Sequence, residues 1–168
     1  QYILSGRKHL VPFAAAAGQL LVMVRTRPGD DGIDMLLVDP KVKGVSMTLQ
    51  KTMASDPEYD ILFKDVEVPV SARVGEPGSG WRHWQAALNE GRIALAAWAV
   101  GCADRALAMA TDYAKERVQF GRPIGSFQGL AHPLASVATA VVGSRLLAQE
   151  AAWARDTGLP YARLATMA

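Results

Sequence analysis

The chain has 168 residues, enough for one ordinary domain or for pieces of two. Half of it is hydrophobic, so it can bury a core, and its net charge of +2 comes from interspersed acids and bases, which excludes a nucleic-acid stripe or a polybasic membrane segment. Cys102 is the only cysteine, which excludes an internal disulfide and a cysteine-based zinc cluster and fits a reducing compartment.

No positively charged leader opens the sequence, and no apolar run reads as long enough to cross a bilayer. The most apolar stretch, RIALAAWAVGCADRALAMA, is interrupted by Asp104 and Arg105. A cytoplasmic protein that binds neither nucleic acid nor membrane is expected. The chain opens directly in the strand-like QYILSG and closes in LPYARLATMA, which reads as the start of an uncapped helix. It therefore reads as part of a longer protein.

Residues 1 to 75 read as strands and turns. QLLVMVRT and IDMLLVDP are short β-rich runs joined by RPGDDG, whose Pro, Gly and Asp supply turn geometry and whose charges mark a solvated hairpin. KGVSMTLQ follows the turn at Asp39-Pro40. EYDILFKDVEVP then places apolar residues at Ile61, Phe63, Val66 and Val68, the pattern of a half-buried strand. Strands near ten residues apart with hairpin-length turns predict a small antiparallel β-barrel or sandwich.

SARVGEPGSGW reads as a linker. From residue 76 to 168 the period becomes helical. Leu88, Leu95, Ala99, Cys102, Ala106, Met109 and Tyr113 fall on one face of a long helix, which predicts that face, Cys102 included, to be buried. A second helix is predicted from about Phe127 to Arg155, with Leu130, Leu134, Val137, Val141, Leu146 and Ala148 as core candidates. Gly158 and Pro160 of DTGLP end it. Two long helices joined by a short loop predict antiparallel packing in an up-and-down bundle, with a further layer needed over their other faces. The fold class is therefore α+β.

The joining loop, AKERVQFGRPIGSFQGL, concentrates polar and aromatic chemistry. Arg117 stands at the helix end beside Gln119, Phe120 and Gly121, and Pro123 stops the helix. A guanidinium there offers a planar fork that matches a diphosphate. The same residues also serve a plain helical corner in which Arg117 caps carbonyls, and on the residues alone both readings stand. His9, His83 and His132 show no metal spacing, and Trp81, Trp84, Trp98 and Trp153 read as core or interface side chains.

ERVQFGRPIGSFQ resembles the Glu-Arg-x-x-Phe-Gly-x-x-Ile-x-x-x-Gln signature of the acyl-CoA dehydrogenases. YILSGRKHLVPFAAAAGQLLVMVRT resembles the middle β-domain of that family. FKDVEVP with GEPGSGW resembles the exit from that domain, and ALNEGRIALAAWAVGCADRALAMATDYAKER its first C-terminal helix. The resemblance implies an FAD-dependent oxidoreductase of acyl-CoA metabolism, which dehydrogenates an acyl-CoA thioester, passes electrons to an electron-transfer flavoprotein and assembles as a homodimer or homotetramer. It implies that Arg117 contacts the FAD diphosphate across a dimer interface and that Gln119, Phe120 and Gln128 line the cofactor. Asn89 and Arg92 match positions near the acyl-CoA pocket.

The catalytic base is implied to lie beyond Ala168. In a minority of the family it immediately precedes the arginine matching Arg92. Gly91 holds that place here and Glu90 is one residue, about 100° of helix, away. Where the family has Trp-Ile-Ser/Thr against the flavin, this chain has Leu10, Val11 and Pro12, and Pro12 has neither a hydroxyl nor an N–H to offer. The alternatives are a non-catalytic partner subunit of the same fold and a flavin monooxygenase relative.

Overall fold

The computed structural model describes residues 1–53 and 55–168. They form two compact units, Gln1–Trp84 and Gln85–Ala168.

The first unit is built on six strands: β1 (Tyr2–Pro12), β2 (Leu20–Arg25), β3 (Ile33–Val38), β4 (Val45–Gln50), β5 (Glu58–Val68) and the short β6 (Arg73–Val74). They pair into two antiparallel sheets, in the orders β1-β5-β4 and β2-β3-β6. Leu20, Val22, Leu36 and Val38 from one sheet and Ile61, Phe63, Val66 and Val68 from the other share one buried core. That is a small sandwich, the second form of the expected β architecture.

The predicted buried positions of β5 are all present, and the change of phase between Phe63 and Val66 has a structural cause. β1 pairs Leu4 with Val66 but Gly6 with Phe63, so Ser5 faces both Lys64 and Asp65. This β-bulge inserts a residue and moves the inward side chains from odd to even positions. Asp65 adopts φ 50, its N–H donates to Ser5 Oγ at 3.1 Å, and the Ser5 hydroxyl donates to Asp65 Oδ1 at 2.9 Å.

The segment read as a free linker is pinned. Arg73 and Val74 pair with Leu36 and Met35 of β3. Asp34, on β3 and only 4% exposed, accepts the Gly78 N–H at 2.6 Å and the Thr26 hydroxyl at 3.3 Å. Gly78 has φ 78, and a Cβ there would run into the Asp31 carbonyl.

The helical unit contains most of α1 (Gly80–Glu116), a short hairpin of β7 (Val118–Gln119) and β8 (Arg122–Pro123), α2 (Gln128–Asp156) and α3 (Ala162–Met167). Asp104 pairs with Arg145 and Glu90 with Arg155, so the chain order is reversed between α1 and α2 and the two helices run antiparallel. Gly158, at φ 74, closes α2, and Leu159 donates its N–H to the Ala154 carbonyl at 2.8 Å.

The apolar stripe of α1 differs from expectation. Leu95 is 58% exposed, Trp98 69%, Met109 57% and Tyr113 59%, and Cys102 is exposed as well. On α2, Val137 and Leu146 are exposed, with Val142 and Trp153, while Val141 and Ala148 are buried as predicted. The buried residues along these helices are mainly small: Ala96 and Ala114 on α1, and Ala148, Ala151 and Ala154 on α2. Small residues let backbones approach, and the bulky apolar side chains are left on faces that nothing among the described residues covers.

By length and composition α1 and α2 are each apolar enough to cross a membrane, which corrects the sequence expectation on that point. Alanine raises the average around the isolated charges that had argued against a span. The Asp104–Arg145 pair lies well inside both helices, and charges at such depth are costly in hydrocarbon and ordinary in a helical bundle.

Asp34→Ala strips a buried carboxylate from two donors and is expected to cost the full-length protein about 1–3 kcal/mol. Asp30→Ala, on the exposed β2–β3 turn, is expected to change stability by less than about 0.5 kcal/mol. Urea denaturation of both variants checks the contrast.

Candidate functional site

The corner between α1 and α2 is a hairpin, where the sequence had suggested only a loop. Val118 pairs with Pro123 and Gln119 with Arg122, which leaves Phe120 and Gly121 as the two turn residues. Both have positive φ, 53 and 78, the signature of the mirror-image turn that matches strand twist. Glycine takes this backbone readily, whereas a phenylalanine held there costs about 1–2 kcal/mol. The turn nevertheless presents the Phe120 ring to solvent at 92% exposure.

The rest of the corner is well tied. Ile124 donates its N–H to the Arg117 carbonyl at 2.8 Å, and the Ser126 hydroxyl donates to Pro123 O at 2.7 Å. Gly125 packs on Ala114, where a Cβ would stand 3.0 Å from the Ala114 carbonyl oxygen. The Arg122 guanidinium lies 4.1 Å over the Phe127 ring, and Phe120 meets Phe127 edge-on at 6.1 Å. Arg122 is thus occupied.

Arg117 itself is exposed, and among the described residues its guanidinium makes no hydrogen bond or ion pair. It does not cap the helix carbonyls, so the plain-corner reading of this side chain is not what the structure contains. Gln119 and Gln128, the first residue of α2, are exposed at the same corner. The corner thus carries Arg117, Gln119, Phe120 and Gln128, with a cation that has no partner among the described residues and an exposed aromatic ring. This chemistry suits an anionic phosphate group attached to planar rings.

Asn89 and Arg92 sit one helical turn apart on α1. Asn89 is buried, and Arg92 Nη1 donates to its Oδ1 at 3.1 Å. Glu90 points elsewhere and accepts from Arg155 Nη2 at 3.1 Å. It lies ten positions past Gly80, well inside α1. Arg155 has its pKa raised by hydrogen bonds to Asp156 and then Glu90.

In the first unit Val11 and Pro12 border a cavity of about 610 Å³, lined also by Lys8, His9, Leu20, Phe63 and Trp84 among others. Leu10 and Phe13 have φ 52 and 55, and β1 slips register against β5 between Lys8 and Val11. Pro12 contributes no donor here, and the Phe13 N–H is taken by the Pro57 carbonyl at 2.9 Å. No cluster of three or more metal-ligating side chains occurs among the described residues.

The chain thus combines a small antiparallel sandwich with long antiparallel helices whose corner offers an arginine and one open aromatic ring. Residues 78–168 match the family model described as "Acyl-CoA dehydrogenase, C-terminal domain". The chain is 35% identical over 173 residues to an acyl-CoA dehydrogenase of Bacillus subtilis (strain 168), covering 100% of this chain and 46% of that protein. The solved butyryl-CoA dehydrogenase from Megasphaera elsdenii superposes with a TM-score of 0.87 at 32% identity, covering 99% of this chain and 45% of that one. A solved chain of PigA with FAD and proline gives a TM-score of 0.94 at 27% identity, covering 99% and 45%. The chain belongs to the acyl-CoA dehydrogenase family, and it spans about half the length of the relatives it matches.

Phe120→Gly removes the left-handed strain and almost no packing. Its expected effect is unchanged or slightly raised stability, by up to about 1 kcal/mol, read from urea denaturation of the full-length protein. A loss of more than that would mean the ring holds the corner together.

Proposed function

We propose that this chain is part of an FAD-dependent acyl-CoA dehydrogenase, which oxidises an acyl-CoA thioester to its trans-2-enoyl form. One observation carries the proposal: in a chain of this family, the Arg117 guanidinium stands unpaired beside a strained turn that exposes Phe120. Arg117 would take the FAD diphosphate, and Gln119, Phe120 and Gln128 would line the cofactor. FAD, when bound, supplies the hydride acceptor. Asn89 and Arg92, locked to each other on α1, would form part of the acyl-CoA pocket wall. The carboxylate that takes the α-proton is assigned outside this chain, because Glu90 is committed to Arg155.

The exposed stripes of α1 and α2 support a homodimer or homotetramer, in which a neighbouring subunit presents the corner to its cofactor. Reduced flavin would pass its electrons to an electron-transfer flavoprotein. At Leu10-Val11-Pro12, which would stand against the flavin, the residues fit less well: Pro12 offers no donor, and no contact to flavin N5 is assigned. That mismatch favours one second reading, a partner subunit of the same fold that holds no working flavin of its own.

Anaerobic titration of the full-length protein with a panel of acyl-CoAs separates the two. Bleaching of bound flavin by one acyl class is expected, and a protein that retains no flavin moves the assignment to the partner subunit. Arg117→Ala is expected to weaken FAD retention by about 10- to 100-fold, the worth of a charged hydrogen-bonded contact, with folding stability unchanged. Flavin content equal to wild type would remove Arg117 from the site.

A further inference from the structure

β1 pairs Lys8 with Ile61 and Val11 with Tyr59, so His9 and Leu10 together face the single residue Asp60 on β5. This is a two-against-one bulge, and its second residue, Leu10, has φ 52. A bulge with a left-handed residue ordinarily carries glycine there. Leucine has no local means of holding that backbone, so the surroundings must hold it.

Asp60 is placed to do so. Its Oδ1 accepts the Leu10 N–H at 3.4 Å and its Oδ2 pairs with His9 Nδ1 at 3.0 Å. A carboxylate only accepts, so Nδ1 is the ring nitrogen that carries the proton. Lys8 is turned away, donating to the Met23 carbonyl at 2.9 Å, and the β4 residue opposite Asp60 is the uncharged Thr48. Both carboxylate oxygens are therefore committed to the two bulge residues. The other bulge on the same ladder is held similarly: the Ser5 hydroxyl on β1 faces Asp65 at φ 50 and bonds its N–H.

We propose that Asp60 is a positioning residue: by fastening His9 and the Leu10 amide it fixes the left-handed bulge and thereby the course of Leu10, Val11 and Pro12 along the cavity. That this segment is the flavin platform rests on the reading above. The fastening of the bulge rests on the β1–β5 ladder alone.

The test uses the full-length protein and two readouts, amide hydrogen exchange of the 8–13 segment by mass spectrometry and the FAD dissociation constant. Asp60→Ala is expected to speed exchange of that segment about tenfold and to weaken FAD binding by a similar factor, the size of the lost bonds. Asp60→Asn keeps one acceptor oxygen and turns the other into a donor, so acceleration and weakening of about threefold, between wild type and Asp60→Ala, are expected. Ser5→Ala, which loosens the other bulge, should leave the 8–13 segment unchanged and so controls for general destabilisation. Unchanged exchange in Asp60→Ala, or equal acceleration in Asp60→Asn, would overturn the inference. A wild type that binds no FAD but shows the exchange pattern keeps the fastening and sinks the flavin reading instead.

Discussion

Left-handed backbone at residues other than glycine is the constraint on which both units depend. Leu10, Phe13, Asp65 and Phe120 all have φ between 50 and 55, and each marks a place where the chain must change course. Asp65 shifts the inward face of β5, Leu10 bends β1 beside the cavity, and Phe120 turns the corner between the long helices. Such conformations persist only where the surroundings over-determine them, and they gather at sites with work to do. At Asp65 and Leu10 the holding groups are visible as side chains on the facing strand. At Phe120 the hairpin register and the tied residues 117 to 127 do the holding, and the ring itself gains almost no burial in return.

The helices follow a second rule, that the face on which a side chain stands decides whether it is buried. Ala96 and Ala114 of α1 are covered while most of its other alanines are exposed, and Leu95, Trp98, Met109 and Tyr113 face outward in a row. Periodicity identifies an apolar face correctly, because the 3.6-residue repeat places these side chains together. It carries no information about which neighbour covers that face. A chain spanning about half of its relatives' length can expose a stripe that its own sequence marks as apolar.

The same distinction explains what the sequence made legible. Strand and helix positions, the hairpin at RPGDDG and the stop at Gly158 followed from alternation, turn residues and caps, because these signals are local. Residues Ile61, Phe63, Val66 and Val68 were legible as inward-facing, but the bulge that reconciles their odd and even numbering was not, since it depends on Ser5 across the ladder. Cys102 was misplaced because its face, though apolar, has no cover here. At the corner, Arg117, Gln119, Phe120 and Gln128 were named from a motif. What sequence does not carry is that Arg122 is spent on Phe127 while Arg117 is left free. The motif singles out Arg117, but that its side chain is left without a partner is settled only by the fold.

The two candidate regions therefore carry opposite kinds of information about a flavin. At the corner the fold spends strain to keep an aromatic ring and a guanidinium open, an arrangement that gains nothing for stability and is explicable by a ligand or a neighbouring subunit. At Leu10-Val11-Pro12 the fold is equally specific, with a bulge, a left-handed residue and a carboxylate fastening, yet the segment delivers no hydrogen-bond donor at Pro12. The two Asp60 bonds offset the cost of the bulge within the ladder itself. What the segment presents to the cavity is an apolar wall through Val11 and Pro12 that donates no hydrogen bond at Pro12.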